Sequence, residues 1–349
     1  MGPRLRFVAV IILVAVLLRP GPSAKAAVGI PFGADLIAPG SNRWDDVERD
    51  LFRRMRGNIA RFRIPVGFGG SPEQIEELID DGARTVILTT EDCDFAPDRT
   101  RADLVGRGFY SVVERHPEVQ FFIEVSNETN ICGMDPYRAR DWMLETREAL
   151  RDLDRPNFGW MASMPTSLRD AEIILSRQGD GAVGDVYDAI AVHQYGDYNV
   201  WPIEDHYEWQ EVTNLVLTQT SLPVYVTEIG INDPATPKDE KARRILDAVA
   251  QMPDRIKGVM VFAISDPQDN RWPQYFIDGA MADAFAARPD VPADGSKRPL
   301  PELRGSPPVQ RSPRRPGSRG GRRVGGAAEA AEAERTSSRR RSQRERARN

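Results

Sequence analysis

The chain has 349 residues, 28% of them charged, and a formal net charge of −5 that is spread very unevenly. Residues 304–349 hold fourteen Arg, no Lys and four Glu, a net of +10; residues 1–26 add +4, which leaves −19 for residues 27–303. An acidic body of that kind argues against nucleic acid as the main ligand.

In chain order, the first segment reads as a processing signal. Arg4 and Arg6 precede an apolar run from Phe7 to Leu18, and Ala24-Lys25-Ala26 follows as an A-x-A cleavage site. A run this short falls well below the roughly 20 residues of a membrane-spanning helix. The expectation is a cleaved signal peptide over residues 1–26 and an exported protein starting near Ala27, with an uncleaved membrane anchor as the alternative. The far end, residues 291–349, is rich in Pro, Arg, Ser and Gly and nearly devoid of large apolar side chains. Such a segment cannot bury enough surface to offset its ordering entropy, so it is expected to be disordered. It reads either as a solvated spacer or as a basic tail that folds back on the body or touches an anionic surface.

Between these ends, residues 27–290 match the size of a (β/α)₈ barrel domain, roughly 250 residues. Strands are predicted at Val28–Phe32, Ala60–Val66, Thr85–Thr90, Val119–Ser126, Phe158–Ser163, Ala189–Gln194, Val224–Thr227 and Gly258–Ile264, from short β-branched or aromatic runs. Amphipathic helical stretches alternate with them. Asn42 is expected to cap a helix carrying Trp44, Val47, Leu51 and Met55. Ser71-Pro72-Glu73-Gln74 places a cap, a proline and then an acid in the first turn of another. Thr236-Pro237-Lys238-Asp239 opens a third, with Ala242, Ile245, Leu246 and Val249 on one face. Strict alternation implies a parallel sheet covered by helices, hence an α/β fold and a single (β/α)₈ (TIM) barrel. An open doubly wound sheet is the competitor; it usually carries a Gly-rich phosphate loop after its first strand, and Gly33-Ala34-Asp35 does not supply one.

In a barrel, the loops after the strands converge on one face, so polar residues at strand ends are the candidates for chemistry. Strand two ends in Arg63-Ile64-Pro65-Val66, strand four in Asn127-Glu128, strand six in His193-Gln194-Tyr195 and strand seven in Thr227-Glu228-Ile229-Gly230. Each group alone has an ordinary structural explanation; four at the same end of the barrel point to a site. The lone cysteines, Cys93 and Cys132, lie just past two adjacent predicted strands, and in an exported protein an even pair suggests a disulfide, with two free thiols as the alternative. The three histidines, at 116, 193 and 206, form no ligand cluster, so neither a metal nor another cofactor is expected.

These motifs resemble those of retaining glycoside hydrolases of clan A. Glu124-Val125-Ser126-Asn127-Glu128-Thr129-Asn130 is similar to the E-[IV]-W-N-E-P-N segment of family 39 and its relatives, and Arg63-Ile64-Pro65 to the R-I-P segment of family 5. His193-Gln194-Tyr195 resembles the H-x-Y of strand six, and Thr227-Glu228-Ile229-Gly230 the T-E-[FIW]-G of strand seven. The resemblance spans most of the domain and selects no single family. It implies an enzyme that hydrolyses β-linked oligo- or polysaccharide, with Glu128 as acid/base and Glu228 as nucleophile. It further implies that Asn127 binds the sugar 2-hydroxyl, that Arg63 and Tyr195 hold Glu228 charged, and that His193 orients substrate or the acid/base group. The chain departs from the pattern at Ser126 (for Trp), at Thr129 (for Pro), at Thr89-Thr90-Glu91, which lacks a strand-three histidine, and at Phe262-Ala263-Ile264, which lacks the strand-eight tryptophan. Trp272 in the following loop is a candidate replacement, and Trp201 the best candidate for stacking on sugar, whereas Trp209, at helical spacing, reads as structural. The alternatives are a non-catalytic barrel that binds glycan or a cell-wall partner, and another hydrolase or transglycosidase using the same glutamates.

Overall fold

The computed structural model describes residues 30–36, 46–64, 71–90, 97–131, 133–177, 182–196, 208–264 and 275–288. The chain divides into two units, residues 1–305 and 306–349, and all described residues lie in the first. The leader, the basic tail, Asn42, Trp44, Cys93, Cys132, Trp201 and Trp272 lie outside the described residues.

Eight parallel strands close into a barrel in sequence order, with β8 paired back onto β1. They are β1 (Phe32–Asp35), β2 (Ile59–Arg63), β3 (Thr85–Thr89), β4 (Gln120–Val125), β5 (Phe158–Ser163), β6 (Ala189–Tyr195), β7 (Val224–Gly230) and β8 (Ile256–Phe262). A principal helix follows each: α1 (Asp46–Arg54), α2 (Pro72–Asp80), α3 (Phe109–Arg115), α4 (Pro136–Ala149), α5 (Leu168–Leu175), α6 (Trp209–Gln219), α7 (Lys238–Ala250) and α8 (Gly279–Ala286). This is a TIM barrel, as the alternation predicts. Among the described residues no helix is long and apolar enough to cross a membrane.

The element least well placed by sequence is β1, expected at Val28–Phe32 and found at Phe32–Asp35. Its pairing explains the shift. Gly33 lies opposite Ile59, and a Cβ there would stand 1.6 Å from the Ile59 carbonyl oxygen. The barrel closes only because this residue has no side chain. Helix starts follow the local chemistry more closely. Ser71 accepts from the Gln74 amide while the Gln74 side chain accepts from the Ser71 amide, a capping box. Thr236, by contrast, does not cap α7; its hydroxyl donates to Asp233 instead. In α1, Val47 faces solvent, and the buried positions belong to Glu48, Leu51 and Phe52.

Two apolar regions hold the barrel. One lies between strands and helices. The other fills the barrel itself with Ile59, Ile87, Phe122, Met161, Ala189, Ala191, Tyr225 and Met260. Because strand side chains alternate, the residue two further along β1 to β4 and β6 also points inward. Those residues are Asp35 (after Gly33), Arg61, Thr89, Glu124 and His193, all buried. An apolar plug is therefore capped by a polar layer at the C-terminal end of the strands.

Candidate active site

Two local irregularities aim the two strand-end glutamates. On β7, Tyr225 points into the barrel, so simple alternation would send Glu228 outward. The register with β6 shifts here: Val192 pairs with Val226, but His193 pairs with Glu228. Thr227 is the extra residue of a bulge, and both Thr227 and Glu228 turn inward. On β4, Ser126 follows the last strand residue with φ +72°, a left-handed conformation that costs a non-glycine residue about 1–2 kcal/mol. The Thr90 hydroxyl accepts from the Ser126 amide and helps to hold it. This turn swings Asn127 and Glu128 over the barrel mouth, and Asn130 anchors the loop to the segment after β5 by reciprocal bonds with Thr166.

The centre of the polar layer is Arg61. Its guanidinium has five N–H donors, and each nitrogen finds acceptors: Nε donates to Glu124, Nη1 to Asp35 (2.9 Å) and Glu228 (2.5 Å), and Nη2 to Asn127 (2.8 Å) and Thr89 (3.4 Å). The Thr227 hydroxyl adds a bond to Glu124. Glu228 also accepts from the Tyr195 hydroxyl. His193 lies between the two strand-end glutamates, with Nδ1 2.8 Å from Glu128 and Nε2 3.5 Å from Glu228.

The sequence motif singles out Arg63 as the partner of Glu228, but the guanidinium that contacts it belongs to Arg61. Arg63 stands beside the layer and acts on Glu228 through its charge; its own burial pulls it down to about 10. Asn127, His193, Tyr195, Glu128 and Glu228 all converge. Asn127 turns its carbonyl to Arg61.

The electrostatics separate the groups. For Glu228 burial favours the neutral acid, yet the charges of His193 and Arg61, the Tyr195 hydroxyl and the charge of Arg63 together hold it below the usual carboxylate range. For His193 burial works against the imidazolium, and the charges of Glu228 and Glu128, with the hydrogen bond to Glu128, outweigh it and raise the group. Burial and the Glu228 charge drive the Tyr195 phenol well above its ordinary value, so it remains a donor.

An aromatic wall closes one side. Tyr195 meets Phe262 edge-on at 5.8 Å and Tyr275 at 5.4 Å, and Phe262 meets Tyr275 at 5.6 Å. Trp209, expected to be merely structural, packs on both His193 (5.8 Å) and Tyr195 (5.4 Å). Phe262 thus stands where strand eight lacks a tryptophan; Arg61 and Asp35 lie outside the strand-end motifs, and Glu124 opens the strand-four motif with no role assigned to it there. The last three did carry a signal, since a charged residue inside an otherwise apolar parallel strand is unusual.

One donor atom each from Glu128, His193 and Glu228 lie within 4.8 Å of one another, a spacing that a divalent cation can use. The surroundings oppose it. Glu228 already accepts from Arg61 and Tyr195, and two guanidinium charges lie next to it.

No family model and no curated protein matches the chain in sequence. Solved structures similar to it include a family 5 xyloglucan-specific endo-β-1,4-glucanase from a metagenomic library, in complex with cellotriose (15% identity, 75% of this chain and 97% of that one, TM-score 0.49). Others are a family 39 glycoside hydrolase from the gut symbiont Bacteroides cellulosilyticus (16%, 76% and 64%, TM-score 0.48) and a family 128 endo-β-1,3-glucanase from Sorangium cellulosum (11%, 73% and 98%, TM-score 0.46). At such identities and scores the likeness extends no further than the barrel, which the strand pairing already establishes.

Proposed function

We propose that the protein is a retaining glycosidase that hydrolyses O-glycosidic bonds of a β-linked glycan by double displacement. The observation that carries this reading is the approach of the Glu128 and Glu228 carboxyl groups, with an oxygen of each within 4.8 Å of the other. Carboxyls about 5–5.5 Å apart leave no room for a water between nucleophile and sugar, whereas inversion needs about 6.5–9.5 Å. The strand-end motifs point to β-linkages.

Glu228, held ionised, attacks the anomeric carbon as Glu128 gives its proton to the departing glycosidic oxygen. The glycosyl ester forms and the C–O bond to the leaving group breaks. Glu128 then takes a proton from water, whose oxygen attacks the anomeric carbon and releases Glu228 as carboxylate. Tyr195 and Arg61 keep Glu228 charged and aimed. His193 orients Glu128, and Asn127, fixed by Arg61, presents its amide N–H₂ toward a sugar hydroxyl. The Tyr195–Phe262–Tyr275 wall offers an apolar surface for a pyranose face, with Trp201 and Trp272 as further candidates. Residues 1–26 would direct export, and residues 291–349 would form a basic extension of the exported enzyme.

The test is turnover of a panel of polysaccharides and activated aryl β-glycosides by the protein and by its Glu228→Ala and Glu128→Ala variants. A mechanism-based 2-fluoro glycoside should label Glu228; a label on any other residue rejects the nucleophile assignment. Inactivity across the panel, with glycan binding untouched by either substitution, would instead establish a non-catalytic binding barrel.

A further inference from the structure

Asp35, Glu124 and Glu228 are three buried carboxyl groups around one guanidinium, at 0%, 0% and 5% exposure. Arg63 brings a second positive charge from the same strand, and His193 and Glu128, 2.8 Å apart, share one proton and add no net charge whichever of them holds it. With those three acids ionised, the described residues of the layer would carry one more negative than positive charge in a water-poor space, and a buried group in that position takes up a proton instead. Glu228 is the least able to hold it, with Arg61, Tyr195 and His193 all facing it. Glu124 has Arg61 Nε and the Thr227 hydroxyl. Asp35 shares Nη1 of Arg61 directly with Glu228.

We propose that Asp35 is a positioning residue that carries this proton, leaving Glu228 the ionised member of the two carboxyls that share Arg61 Nη1. Among the described residues the titratable groups facing Asp35 are Arg61 and Arg63 from β2, Tyr195 from β6 and Glu228 from β7, while β8 places Phe262 opposite it. Burial pushes the Asp35 carboxyl up to about 7 against the pull of Arg61, and the Glu228 charge adds to the rise. Two adjoining carboxyls are thus driven in opposite directions, the arrangement by which acid and base forms are divided between neighbours. For catalysis the assignment rests on Glu228 being the nucleophile. Below the Asp35 midpoint Nη1 serves Glu228; above it, two carboxylates compete for the same nitrogen.

Carbon-13 NMR of the full chain labelled at aspartate Cγ tests this without any substrate. One resonance should titrate with a midpoint near 7 and vanish in Asp35→Asn. In Glu228→Gln, which removes the like charge and leaves Asp35 in place, that midpoint should fall by at least about 1 pH unit. Every aspartate titrating below about pH 5, or a midpoint indifferent to Glu228→Gln, would overturn the proposal. If an aryl glycoside is turned over, the alkaline decline of kcat should be displaced in Asp35→Asn, and an unaltered decline would count against it. Absence of turnover bears on the glycosidase reading alone, because the titration stands without it.

Discussion

Arg61 Nη1 donates to Glu228 at 2.5 Å, two residues ahead of the arginine that the strand-two motif singles out. Both side chains point into the barrel because they are two apart on one strand. The deeper one reaches Glu228, and it ties its own strand to four others through Asp35, Thr89, Glu124 and Glu228.

Removing Arg61 should therefore be costly for fold and reaction alike. Arg61→Met leaves buried carboxylates without their counter-charge, a change worth about 3–5 kcal/mol in urea denaturation. Arg61→Lys restores the charge but not the fork, so activity should stay depressed by about 10–100-fold, the value of a lost bond to a charged group. Arg63→Met should do less on both measures. Greater loss of kcat/KM in Arg63→Met than in Arg61→Met would return the contact to Arg63.

The Tyr195 hydroxyl is one of the groups that hold Glu228 below the ordinary carboxylate range. Tyr195→Phe removes that donor, so the carboxyl rises, and the acid limb of the kcat/KM profile should move to higher pH. At the optimum the loss should be about 10–100-fold. An acid limb unchanged in Tyr195→Phe would detach Tyr195 from the ionisation of Glu228.

Much of this layout is legible in sequence, and the exceptions have physical reasons. Strand existence follows from apolar runs, and Phe158–Ser163 falls where the pattern places it. The facing of Glu228 was not legible, because it depends on a bulge at Thr227 that appears only once β6 is alongside. Nor was the turn at Ser126, a non-glycine residue at positive φ. Arg61 and Asp35 escaped notice for a related reason. Their partners lie 63 and 26 residues away along the chain for Glu124–Arg61 and Asp35–Arg61, and no local motif encodes such contacts. β1 was misplaced because barrel closure favours Gly33, which strand propensity penalises.

His193 provides a test by stability. Its imidazole is raised in the fold by Glu228 and Glu128 in spite of burial. A raised histidine binds its proton more tightly when folded. Its contribution is fully present below the unfolded value of about 6.5 and is lost as pH rises through the folded value. Wild-type stability should thus decline above pH ~6.5 in urea titrations, and His193→Gln should flatten that part of the curve. Equal slopes in the two proteins would mean that His193 is neutral throughout.

Gly230, at the end of the strand-seven motif, offers the sharpest separation of site from scaffold. A Cβ here would meet Tyr275 Cδ1 at 2.9 Å and Tyr195 Cε1 and Cδ1 at 3.1 and 3.2 Å. The residue is glycine because two rings of the aromatic wall press against its backbone. Gly230→Ala forces those rings to shift, at about 1–3 kcal/mol for overpacking, and swings the Tyr195 hydroxyl off Glu228. The substitution should lower kcat in the wild-type background by an amount approaching that of Tyr195→Phe. In the Tyr195→Phe background the hydroxyl is already gone, and the same substitution should cost little further kcat. Equal losses in both backgrounds would show that Gly230 acts through general packing and not through the tyrosine.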